Sequence, residues 1–86
     1  MPPRLDHTKL NAIFARLRSE IERAVTKHPP MHSPHEGISV IREEFEELWD
    51  HVKADTGQSH EAVDEAVQLG AMAIRYLYDL CGDLDL

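Results

Sequence analysis

Glu43, Glu44 and Glu47, followed about twenty residues later by Glu65 and Gln68, are the side chains of this sequence whose types and spacing could do chemistry. On a helix, Glu44 and Glu47 are three apart and Glu43 and Glu47 four apart, so either pair can converge on one point. Like charges at that spacing destabilise a helix unless something positive lies between them. If the second helix runs back antiparallel to the first, Glu65 and Gln68 come opposite Glu44 and Glu47. That gives three carboxylates and one amide oxygen around a single volume. An all-oxygen set suits a hard cation such as Mg²⁺ or Mn²⁺, which keeps several waters and is completed by substrate phosphates. The plain alternative is a solvated acidic face, because surface helices are often Glu-rich and helical Glu pairs arise easily by chance.

The elements that must position these groups are helices. Ser33-Pro34-His35-Glu36 has the form of a capping box, with the Ser33 hydroxyl accepting from the Glu36 N–H and Glu36 reaching back to Ser33 N–H. Pro34 falls at the first helical position, where a missing N–H costs nothing. The helix it opens is expected over 34–55, with Ile38, Ile41, Phe45, Leu48, Trp49 and Val52 as its core stripe. Gly57 suits the left-handed residue past its end. A further helix is expected over 59–81, capped by Ser59, stopped at Gly82, and buried along Ala62, Ala66, Leu69, Gly70, Ala73, Ile74, Leu77 and Leu80. Its small residues Ala66, Gly70 and Ala73 would let another helix approach closely. Before the hairpin, Leu10, Ile13, Phe14, Leu17, Ile21 and Val25 repeat at helical spacing over 5–27, with Asp6 or Thr8 as the cap. His28-Pro29-Pro30 ends that first helix. The histidines His28, His32 and His35 read as loop residues rather than as a metal site, since no Cys joins them. The architecture is therefore all-α, one domain over 1–86, with two helices in a tight antiparallel hairpin. An arm at the start of the chain and a tail after Gly82 are expected to be loose.

Composition narrows the functions this scaffold can serve. Eighty-six residues bury too little surface for a generous core, so self-association is expected. The net charge of −7 is unevenly placed. Residues 1–34 hold six Lys/Arg against three acids, and residues 35–86 hold three against thirteen. The acidic part is unsuited to nucleic acid, which needs Lys and Arg to neutralise phosphates. It suits a cation, or a ligand arriving with cations. The basic part could contact phosphates, or the acidic helices of the same assembly. One cysteine, Cys81, excludes an internal disulfide. Nothing resembles a membrane span or a signal peptide, and a cytoplasmic location is the expectation.

Glu43-Glu44-x-x-Glu47 followed by Glu65-x-x-Gln68 resembles the E-E-x-x-E … E-x-x-D signature of the MazG-like all-α nucleoside triphosphate pyrophosphatases. The surrounding HEGISVIREEFEELWDHVK and EAVQLGAMAIRYLYDL look like a small phage- or prophage-type member. The resemblance covers residues 33 to 80. It implies a helical bundle of four-helix type completed by forming a homodimer or homotetramer, and Mg²⁺ (or Mn²⁺) held by acidic residues of two helices. The implied reaction is hydrolysis of a (deoxy)nucleoside triphosphate to monophosphate and pyrophosphate. Carried onto this chain, Glu44, Glu47, Glu65 and Gln68 would ligate the metal. Glu43 would be a further ligand or the group orienting the attacking water, so that Glu43, Glu44 and Glu47 form the catalytic set. Gln68 stands where the pattern calls for Asp. Its amide can ligate, but it brings no charge and cannot act as a base. Two readings follow: an enzyme with an altered site, or a non-catalytic helical oligomer, sensing nucleotides or binding proteins on the same scaffold.

Arg75 lies two turns past Gln68 and could contact a substrate phosphate, with Lys53 or Arg42 helping. A salt bridge from Arg75 to Asp79, four apart, is the structural alternative. Trp49 is read as core rather than as a base-stacking surface, and His51 as a hydrogen-bonded neighbour of the cluster rather than a ligand.

Overall fold

A computed structural model of the chain describes residues 4–83, which form three helices and, among the described residues, no strand. The helices are α1 (His7–Lys27), α2 (Pro34–Lys53) and α3 (His60–Cys81). The termini at 1–3 and 84–86, where the arm and much of the tail were expected, lie outside the described residues.

Each helix starts where a short polar side chain can satisfy a free backbone donor. Asp6 accepts from the Lys9 N–H at 3.0 Å, Ser33 from the Glu36 N–H at 3.1 Å and Ser59 from the Ala62 N–H at 3.1 Å. The capping box closes one residue further out than expected. Glu36 Oε2 accepts from the His32 N–H at 3.2 Å, and not from Ser33, with the His32 ring 3.3 Å away.

The end of α2 departs from the expected glycine stop. The left-handed residue is Asp55 (φ 62°), and none of the described glycines has positive φ. Thr56 N–H bonds His51 C=O at 2.8 Å and Asp55 N–H bonds Val52 C=O at 3.1 Å, which is the paired bonding of a Schellman motif. Asp is among the few non-glycine residues that tolerate this conformation, so the left-handed residue falls two positions before Gly57.

α3 is the middle helix. It packs against α2 on one side and α1 on the other, while α1 and α2 do not pack on one another. α2 runs antiparallel to it: Gly37 meets Tyr76 and Leu80, and seven to ten residues later Glu44 and Glu47 meet Glu65. Gly37 permits this approach, since a Cβ there would lie 2.6 Å from Tyr76 Cδ2. Gly70 does the same for α1, with Leu17 Cδ2 3.0 Å from where its Cβ would be. Arg16 pairs with Asp64 across the α1–α3 contact.

The layer encloses little. Among the described residues, the buried apolar side chains are Ala24, Met31, Ala62 and Ala71, and no large side chain is fully buried. The stripe read as the core of α2 is half-exposed along Ile38, Phe45, Trp49 and Val52, and Trp49 carries Lys53 Nζ 5.9 Å over its ring. On α3, Ala66, Ala73, Ile74 and Leu77 are likewise exposed, while Ala71 and Arg75 are buried. The accessible surface is 6907 Å², against roughly 5,200 Å² for a compact chain of this mass. The radius of gyration is 14.5 Å, against roughly 12 Å.

Candidate metal centre and cleft

On the side of α3 that carries Gln68, Met72 and Arg75, the gap between α1 and α2 forms a cleft of about 410 Å³. Glu36, Val40, Glu43 and Glu44 line its α2 wall, and Glu20, Arg23 and Ala24 its α1 wall. His28, Pro29 and Met31 of the connecting loop close one end.

At the edge of this cleft, Glu44, Glu47 and Glu65 each bring one carboxylate oxygen within 4.8 Å of the other two. Glu44 and Glu65 are half-buried and Glu47 is exposed. Glu44 Oε2 and Glu65 Oε2 are fully covered and have no hydrogen-bond partner. Burial, then the charge of and a shared hydrogen bond with Glu47, then the charges of Glu65 and Glu43, push the Glu44 carboxyl up to about 7. Glu65 is raised chiefly by burial and by Glu47, with His51 opposing the rise. Carboxylates so placed must either share protons or share a cation. A covered acceptor without a donor is a net cost that either a shared proton or a cation would offset, so the donor set is compatible with a hard cation.

The two Glu pairs and the antiparallel return thus bring together three of the four proposed ligands. Gln68 lines the same cleft as Glu43 and Glu44 and is half-buried. Glu43 is exposed on the cleft wall. Asp64, next to Glu65 in sequence, is paired with Arg16. His51 is a neighbour of the cluster, its Nδ1 3.3 Å from Thr56 Oγ1.

The chain matches no family model, no curated protein and no solved structure. Its chemistry therefore has to be read from its own side chains.

The two cations singled out for phosphate are placed differently from the cluster. Arg75 is 3% exposed, with Nη2 donating to Pro29 C=O at 3.1 Å and lying 3.1 Å from Asp79 Oδ2. Asp79 also accepts from the Met31 N–H at 3.0 Å. The pair clamps the α1–α2 loop onto α3, and the guanidinium forms part of the cleft floor. Lys53 pairs with Asp50 at 3.2 Å and sits over Trp49, and it is not among the cleft-lining residues. Sequence reasoning missed Arg23. It read α1 for its apolar stripe and did not ask which of its cations would face α2.

Proposed function

We propose that this chain is a Mg²⁺-dependent nucleoside triphosphate pyrophosphohydrolase, taking a (d)NTP and water to (d)NMP and pyrophosphate. The observation that carries this reading is the convergence of Glu44, Glu47 and Glu65, with two covered carboxylate oxygens left without donors. These three residues would hold Mg²⁺ or Mn²⁺, with the Gln68 amide as a neutral fourth ligand. When bound, the cation supplies charge neutralisation and polarises phosphate oxygens. Glu43, exposed beside them, orients the attacking water and accepts its proton. The water oxygen bonds to the α-phosphorus, and the bridging oxygen leaves with pyrophosphate.

The open architecture supports a homodimer or homotetramer as the working form. Leu77 lies about 200° around α3 from Arg75, on the side away from the cleft. Apolar grooves flank α3 there, one lined by Ile38, Ile41, Ala73 and Leu77 and the other by Phe14, Ile21, Ile74 and Tyr78. A second copy covering them would complete a bundle of four-helix type.

Pyrophosphate release from a panel of ribo- and deoxynucleoside triphosphates, with Mg²⁺, with Mn²⁺ and with chelator, tests the activity. Metal-dependent release that Glu47→Gln abolishes while the fold persists is the expected result. Gln68, neutral where the resembled signature has an acid, favours the second reading of a non-catalytic helical oligomer. No release from folded protein would select that reading.

A further inference from the structure

The cleft is electrically polarised, and its basic wall has a candidate ligand contact of its own. α1 carries five Lys/Arg against two acids, whereas α2 carries six acids against two Lys/Arg. Most of the α1 charge is committed elsewhere or does not line the cleft. Arg16 is paired with Asp64, and Arg18 lines the apolar groove on the opposite side. Among the described residues lining the cleft, the arginines are Arg23 and Arg75. Arg75 is 3% exposed, its Nη2 engaged by Pro29 and Asp79 and its Nε covered without a partner, so it offers the cleft far less surface. Arg23 is about half exposed.

Arg23 is also pre-oriented. Its Nε donates to Glu20 Oε2 at 3.0 Å and its Nη2 to the other Glu20 oxygen. Glu20 is itself 16% exposed, and this contact holds its carboxyl below the usual range. Using one edge of the guanidinium this way leaves Nη1 uncommitted, and an arginine fork is matched to phosphate oxygens. The α2 wall of the same cleft carries Glu36, Glu43 and Glu44, which would repel a bare anion. A ligand fitting both walls carries cations on one side and phosphate oxygens on the other.

We propose that Arg23, held by Glu20, is the phosphate-contacting residue of the cleft, receiving a metal-carrying polyphosphate whose metal sits on the carboxylates of α2 and α3. This rests on the metal-centre reading above. The cleft runs along α3 from Gln68 to Arg75, about 10 Å of helix, which leaves room for more than one linked phosphate.

Titration calorimetry with two probes, Mg²⁺ alone and Mg²⁺ with inorganic tripolyphosphate, separates the claims. Wild type, Arg23→Gln, Arg23→Lys and Arg18→Gln would be compared, each first checked for a wild-type circular dichroism spectrum and melt. Arg23→Gln should weaken Mg²⁺–tripolyphosphate about tenfold or more while leaving Mg²⁺ alone unchanged, because it removes a charge-assisted contact outside the metal shell. Arg23→Lys should recover part of the loss, since it restores the charge without the fork. Arg18→Gln, with the same charge change on the other side of α1, should bind like wild type. Equal binding by wild type and Arg23→Gln would overturn the assignment and leave the metal centre standing. An equal loss in Arg18→Gln would also overturn it, by reducing the effect to net charge. Wild type that fails to bind Mg²⁺ in either form would overturn the metal centre and this proposal with it.

Discussion

At the scale of single residues, the cluster makes stability depend on pH in a direction opposite to the usual carboxylate. Glu44 is raised from 4.5 to about 7, and Glu65 is raised as well. The folded chain therefore keeps protons that the unfolded chain has already released, and stability falls as pH climbs from about 4.5 to about 7. Glu20, lowered by Arg23, contributes with the opposite sign, and its contribution is lost only as pH drops below the ordinary carboxylate range. Without metal, the melting temperature should decline between about pH 5 and pH 8, and Glu47→Gln should remove the part of that decline due to Glu47, leaving the part set by burial. On the proposed metal reading, Mg²⁺ would compete with protons for the same oxygens, so it should raise the melting temperature at pH 8 and hardly at pH 5. A flat profile in all three samples would mean that neither burial nor mutual repulsion raises these carboxyls.

At the scale of elements, the loop between α1 and α2 depends on one buried ion pair. Removing one member strands the other in an apolar setting, a loss of about 3–5 kcal/mol, which is a large fraction of the stability of a domain this small. Asp79→Ala should therefore lower the urea midpoint severely. The double change Arg75→Met with Asp79→Leu should recover much of it, because the cost lies in the unpaired charge. Two backbone positions carry separate predictions. Asp55→Gly should stabilise by about 0.5–1 kcal/mol, since glycine adopts φ 62° without the Cβ penalty. Gly37→Ala should destabilise by about 1–2 kcal/mol despite the better helix propensity, because its Cβ would overlap the Tyr76 ring and push α2 from α3. Chemical denaturation of each variant reads both signs.

At the scale of the whole molecule, the chain exposes about 1,700 Å² more than a compact chain of its mass. A standard interface removes roughly 800 Å² per partner, so one face of this layer is large enough to hold a stable self-association. Sedimentation equilibrium should find the protein dimeric or tetrameric. Leu77→Glu, on the side of α3 away from the cleft, should shift it toward monomer and lower the melting temperature, as self-repelling charge replaces apolar contact. Gln58→Glu, exposed in the turn before α3, should alter neither. A monomeric wild type with a cooperative melt would rule out the assembly.

Much of this architecture was legible in order of residues. Caps at Asp6, Ser33 and Ser59 are local signals that involve side chains three positions away, so the helix starts could be read within a residue or two. Glu44, Glu47 and Glu65 were readable as a set because helical spacing and an antiparallel return suffice to converge them. Other features were decided only in three dimensions. An apolar stripe has the same period whether it faces a core within its own chain or the outside of an open layer, so Phe45, Trp49 and Leu77 read as core and are exposed. Arg75 read equally as a phosphate contact or a partner of Asp79, and only the packing of the loop over it shows the pair with Asp79 formed at the floor of the cleft. Arg23 became a wall of the cleft only because α3 holds α1 and α2 apart across it. Periodicity specifies which residues share a face, while the packing of helices distant in sequence decides what that face meets.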